Sequence, residues 1–146
     1  MDEITLALVA SKTPVPYDVL KLINPFINYE ELNDSNFKEV VNLWFEDENQ
    51  CRMRFGHISC WNTNNVTNMS GVFQDRTRFN EDISGWDVSN VTNMSLMFFG
   101  AARFNSNISN WNVGKVTNFN SMFYNARKFN QDLSSWNVSS ATNMSF

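Results

Sequence analysis

The chain has 146 residues, 42% of them hydrophobic, which is enough for one domain of ordinary size and excludes a wholly disordered protein. Its formal net charge is -4, and Lys and Arg read as scattered along the sequence, so no electrostatic footprint points to nucleic acid or to an anionic membrane surface as a partner. Thirteen Phe and five Trp demand a core that accepts flat, bulky groups.

In chain order, the opening MDEITLALVASKTP has a short apolar run and acids where a basic leader would stand. It fits neither a secretory signal nor a spanning helix, and the expected location is intracellular, without membrane insertion. Residues 1–55 show no long period and read as a helical capping segment. Pro16 suits the first turn of a helix running through Val19, Leu20 and Ile23 until Pro25 ends it. Asn33, Asp34 or Ser35 can then cap a second helix, in which Phe37, Val40, Val41, Trp44 and Phe45 follow the i, i+3, i+4, i+7, i+8 rule of an apolar stripe. That stripe reads as core laid over the first repeat. Cys51 and Cys60 are too few for a disulfide framework; they are expected as thiols in a reducing compartment and as a pair only in an oxidising one.

Residues 56–146 repeat with a period of 25, through about three and a half copies. Ile58, Ile83, Ile108 and Leu133 form one column and Trp61, Trp86, Trp111 and Trp136 another. Val66, Val91, Val116 and Ala141 align, as do Met69, Met94, Phe119 and Met144, then Phe73, Phe98 and Phe123, then Phe79, Phe104 and Phe129. Polar columns are as regular, notably Thr67, Thr92, Thr117 and Thr142, and Asn80, Asn105 and Asn130, the latter expected to point inward and satisfy backbone groups of a tight turn. One such unit cannot bury its own apolar face, whereas stacked units lay like side chains over one another.

The expected architecture is an α/β repeat solenoid of leucine-rich-repeat-like coils. The alternation at Asp82, Ile83 and Ser84 predicts a short parallel strand, and the spacing of Val91, Met94, Leu96 or Met97, and Phe98 predicts a short helix capped by Asn90 or Thr92. Gly85, Asn110 and Ser135, each just before a Trp, predict a bend. The chain stops at Phe146, short of the equivalents of Phe98 and Phe123, so this last coil is expected to dock onto another protein or another copy.

The repeats FNEDISGWDVSNVTNMSLMFFGAARFN and FNSNISNWNVGKVTNFNSMFYNARKFN resemble the BspA-like surface-protein repeat class, also called the DUF285 repeat. The pattern W-[DN]-V-x-x-V-T-N-M-S-x-M-F carries the resemblance over residues 56–146, with Thr63 in place of Val in the first copy. It implies a divergent leucine-rich repeat and adhesion or protein recognition through the array, with no active-site residues. The class is common in bacterial surface lipoproteins and extends to marine algae and large DNA viruses, which adds virion association to the expected locations.

Candidate chemistry is sparse. The single histidine, His57, falls in the column of Asp82, Asn107 and Asp132, and Cys51, His57 and Cys60 match no zinc spacing, so no metal is expected. Glu81, Asp82 and Asp87 become Ser106, Asn107 and Asn112 one copy on, which removes any repeated acid pair. No Gly-rich phosphate loop occurs. The chain therefore reads as a non-enzymatic protein-interaction module without cofactor. Its candidate partner-binding face is the outward row His57, Asp82, Asn107 and Asp132 with Ser59, Ser84, Ser109 and Ser134. The alternative is a structural component of a large assembly, such as a minor capsid or cementing protein of a large DNA virus.

Overall fold

The computed structural model describes residues 29–145 together with Glu3, Val19 and Leu22. The helix expected between Pro16 and Pro25 falls, but for Val19 and Leu22, outside the described residues, as does Phe146.

Helix α1 spans Phe37–Glu46 and buries Phe37, Val40, Val41 and Trp44, the apolar stripe of the sequence. Its N-cap is Asn36, not one of the three residues expected, and that side chain makes no capping bond to the helix. The first turn is closed instead by the Asn33 carbonyl, which accepts from the Phe37 N–H at 2.9 Å, while the Asn36 carboxamide oxygen accepts from the Asn33 N–H at 2.9 Å. Asp34 is thereby free to reach elsewhere. Asp47 is the hinge: its N–H donates to the Leu43 carbonyl at 2.8 Å, and its carboxylate accepts from the Gln50 N–H at 3.0 Å to open helix α2, Glu48–Phe55. α1 meets the repeats edge-on. Phe37 lies 5.5 Å from Trp86, Trp44 lies 6.1 Å from Trp61, and Phe45 lies 5.9 Å from Phe79.

The repeats stack in register. Parallel pairing joins Asn68 to Asn93, Asn93 to Asn118 and Asn118 to Asn143. From each pairing point every second N–H donates to the next unit: Met94, Leu96, Phe98 and Gly100 donate to the carbonyls of Asn118, Asn120, Met122 and Tyr124 at 2.8–2.9 Å. Met69, Gly71, Phe73 and Asp75 do the same toward Asn93, Ser95, Met97 and Phe99. The N–H groups in between turn back on their own unit, Met97 to Met94, Phe99 to Leu96 and Ala101 to Phe98.

This corrects the expected helix. A helix would spend every N–H on the carbonyl four residues back, whereas here half of them cross to the neighbour, leaving a run of overlapping turns. Left-handed φ values recur where those turns need them, at Gly71, Leu96 and Ser121 and again at Asp75, Gly100 and Asn125. The three-to-four spacing of Val91, Met94, Met97 and Phe98 imitates a helix because the same side chains must face inward from successive turns. The strand expected at Asp82–Ser84 is also displaced: Ser84 and Gly85 form a turn, closed by the Trp86 N–H on the Ile83 carbonyl at 3.1 Å, and the parallel pairing runs through the Asn68 column. The bend before each Trp stands where it was expected, with Trp111 donating to Ile108 and Trp136 to Leu133 in the same way.

Aromatic columns fill the interior. Phe98 and Phe104 stack within a unit at 3.8 Å, and Phe73, Phe98 and Phe123 stack between units at 5.6 and 5.7 Å with planes within 9°. Phe79, Phe104 and Phe129 repeat this at 5.9 and 5.7 Å. Each ring pair contributes about 0.5–1.5 kcal/mol beyond the area it buries. The Trp column is tied polar end to backbone. Trp86, Trp111 and Trp136 donate their indole N–H to the carbonyls of Ile58, Ile83 and Ile108, one unit back, at 2.8–3.2 Å. Thr63, standing in the column of Val88 and Val113, is fully buried and satisfies its hydroxyl on the Asp87 carbonyl at 2.8 Å.

Candidate functional site

The residues singled out from the sequence do come together in two adjacent columns, on turns and not on a strand. Asp82 Oδ1 accepts from the Ser84 N–H at 3.0 Å, Asn107 Oδ1 from Ser109 at 3.0 Å and Asp132 Oδ1 from Ser134 at 2.9 Å. His57 takes the same part with Nδ1, which accepts from the Ser59 N–H at 3.2 Å. Asp, Asn and a neutral His all offer an acceptor to the N–H two residues on, so what varies at this column is limited by turn chemistry. Two further columns work identically: Asn62, Asp87, Asn112 and Asn137, and Asn68, Asn93, Asn118 and Asn143.

Asp82 and Asp132 are exposed and are held below the usual carboxylate range by hydrogen bonds from the side chain and backbone of Ser84 and Ser134. His57 is half-buried against the Trp44 ring, 5.0 Å between centroids. Burial, then the nearby Arg52 charge, lower its pKa and favour the neutral imidazole that the turn requires.

The Asn80 column is exposed, not inward as expected. Asn80 Oδ1 accepts from the Asn105 N–H at 2.7 Å and Asn105 Oδ1 from the Asn130 N–H at 2.8 Å, so this side chain bridges units. Thr92, Thr117 and Thr142 likewise donate both N–H and hydroxyl to the Thr carbonyl one unit back. Asn90, expected as a cap, donates its amide to the Asn64 carbonyl at 2.9 Å.

Cys51 and Cys60 are free thiols. Cys51 is buried against the Val40 carbonyl, and burial pushes its thiol up to about 12. Among the described residues no three His, Cys, Asp or Glu converge to hold a metal ion, and no helix is long and apolar enough to cross a membrane.

A basic column escaped the reading of the sequence, which took Lys and Arg as scattered. Arg78, Arg103 and Lys128 stand 25 residues apart and stack in register, the Arg103 N–H donating to the Thr77 carbonyl and the Lys128 N–H to the Ala102 carbonyl, each at 3.1 Å. All three are exposed, and among the described residues none forms an ion pair. The signal was legible as one more period-25 column, hidden because composition averages over the chain.

The family described as "Mycoplasma protein of unknown function, DUF285" matches residues 32–146, and the chain belongs to it. The match covers α1 and α2 as well as the repeats. Comparison with curated proteins and with solved structures finds no match.

Proposed function

We propose that this chain is a non-enzymatic protein-interaction module, built as a repeat solenoid of the leucine-rich-repeat-like, BspA-like kind and presenting its exposed turn columns to a partner. The observation that carries the reading is the register. Asp82, Asn107 and Asp132 occupy one column on successive units, each fixed by its own turn bond, so outward groups of different charge sit side by side on a rigid backbone. Such a face loses little conformational freedom when a partner docks.

Charge reversal at this row would break the turns as well as the surface, so the informative change is Asp82→Asn with Asp132→Asn, which keeps the acceptor that Asn107 already uses. Cross-linking of the full chain to proteins of its own source, followed by mass spectrometry, is expected to place cross-links beside this row and to lose them in the double variant. Cross-links that map elsewhere would move the binding face, and a chain that captures no protein specifically would remove the function.

A further inference from the structure

The charge of this chain is divided along its length. Fourteen of its fifteen Asp and Glu lie in residues 1–87, whereas residues 88–131 contain Arg103, Lys115, Arg127 and Lys128 and no acid at all. Stacking then concentrates what the sequence spreads out. Arg78, Arg103 and Lys128 fall in one column, a single unit apart, and Arg127 adjoins Lys128.

The other basic side chains of the repeats are engaged. Arg76 donates to the Asn42 carboxamide at 2.8 Å and lies over the Phe45 ring at 4.4 Å; Lys115 donates to Asn90 Oδ1 at 2.7 Å. Arg127 donates to Asn125 Oδ1 at 2.9 Å. The three stacked cations have no such tie among the described residues.

In the adjacent exposed column two acceptors are already taken. Phe79, Phe104 and Phe129 point inward, and beyond them the Asn80 and Asn105 side-chain oxygens are occupied by the N–H of Asn105 and Asn130. Gln131 spends its amide on Asn105. Arg78 shares a pocket with Asp75, Glu81 and Glu48, whereas from Arg103 to Lys128 the chain holds no carboxylate, and the cations repeat at the spacing of parallel chains, about 4.8 Å.

We infer that the Arg78, Arg103 and Lys128 column is a second interaction surface, which takes an acidic helical segment of a partner protein. Carboxylates at i, i+4 and i+8 of a helix lie about 5–6 Å apart, close to the step of the column. One face of an extended strand repeats at about 6.8 Å and fits less well. Nucleic acid is disfavoured, because the cationic stretch is short and a polyanion continuing past three or four charges runs onto the acidic residues 1–87, whereas a short acidic segment ends at Arg78, the one cation of the column with carboxylates beside it. This surface does not depend on the Asp82 row.

The test uses the full chain and two labelled alanine-based peptides of equal composition, one with glutamates at i, i+4 and i+8 and one with the same glutamates spread around the helix, alongside a single-stranded DNA oligonucleotide of equal charge. The one-face peptide is expected to bind best by fluorescence anisotropy. Each of Arg78→Gln, Arg103→Gln and Lys128→Gln should weaken it about two- to fivefold, while Lys38→Gln should not. Raising salt should weaken it as well, since exposed charges are screened beyond about 8 Å at physiological ionic strength. Circular dichroism on each single variant separates lost binding from lost fold. Equal binding of the dispersed peptide or the DNA would overturn the inference, as would a one-face peptide indifferent to all three substitutions. So would salt-sensitive self-association in sedimentation that the same substitutions abolish, which would make the occupant a second copy's acidic residues.

Discussion

Asp34 stands where a preceding repeat would be: its carboxylate accepts from both the N–H of Thr67, at 2.7 Å, and the Thr67 hydroxyl, at 2.6 Å, and also from the Asn68 N–H at 3.1 Å. In every later unit the Thr N–H and hydroxyl both go to the Thr carbonyl one unit back. The first unit has no such carbonyl, and a carboxylate ahead of α1 supplies the acceptor. An edge of the ladder that would otherwise lie open is thus closed by one side chain.

Replacing that side chain should loosen the first unit more than its exposure suggests. Asp34→Ala removes three hydrogen bonds to a charged acceptor and is expected to cost roughly 1–3 kcal/mol, with Asp34→Asn costing less because one acceptor oxygen remains. Urea unfolding measures the loss, and amide exchange should quicken first at Thr67 and Asn68. Unchanged protection at those two amides would show that solvent satisfies them equally well.

Acid should act through the same group. Burial raises the Asp34 carboxyl, but the hydrogen bonds from Thr67, side chain then backbone, and from Asn68 together outweigh it, and its pKa lies below the ordinary value. A lowered folded pKa adds stability that is present above the unfolded pKa, about 3.9, and is lost as pH falls through the folded value. Asp34→Asn should therefore flatten the stability profile below about pH 4 relative to the natural chain.

His57 sets a different pH window. Its pKa is lowered by burial first and by Arg52 second, so the unfolded chain takes up the proton more readily and stability falls as pH drops below about 6.5. His57→Asn preserves the acceptor for the Ser59 N–H, as Asn107 does for Ser109, and should leave stability at neutral pH nearly unchanged while removing that dependence. Chemical unfolding between pH 5 and pH 7.5 compares the two chains; parallel profiles would disprove the role given to the imidazole.

How much of this was written in the sequence depends on which kind of signal is considered. The period placed Phe73, Phe98 and Phe123 in one stack and Trp86, Trp111 and Trp136 in another, because a side chain repeated at fixed spacing can be buried only on its own likeness. The local backbone was misread. Inward side chains from overlapping turns follow nearly the spacing of a helix, and nothing in single residues announced that Leu96 and Ser121 adopt left-handed φ. The acceptor atoms of the candidate row belong to the turns, which the sequence does not announce, since a surface Asp and a turn-forming Asp look alike there. Asp34 is, with Asn33 and Ser35, one of three cap candidates in the sequence, and the N–H of Thr67, which has no preceding unit to donate to, explains why it turns away from α1.

The central ring of the Phe stack should be the costliest to remove. Phe98 is fully buried between Phe73 and Phe123 and lies 3.8 Å from Phe104, so Phe98→Ala opens a cavity with units on both sides and is expected to cost about 3–5 kcal/mol. Phe129→Ala, at a partly buried ring, should cost clearly less. Equal losses in urea unfolding would mean that the rings do not share one interior.

Gly100 lets two effects be weighed against each other. Its φ is +67°, and a Cβ there runs into the Asp75 carboxylate. Asp75 is exposed, so that carboxylate can rotate aside, and the larger part of the cost of Gly100→Ala is the left-handed backbone itself, about 1–2 kcal/mol. The equivalent positions one unit away hold Asp75 and Asn125, at φ +58° and +59°, residue types that tolerate this region. Stability should therefore fall in the order Gly, Asn, Ala, Val at position 100. Adding Asp75→Gly to Gly100→Ala should recover only a minor share of the loss; a double-mutant cycle in which it restores most of the stability would show that contact, not backbone conformation, selects the glycine.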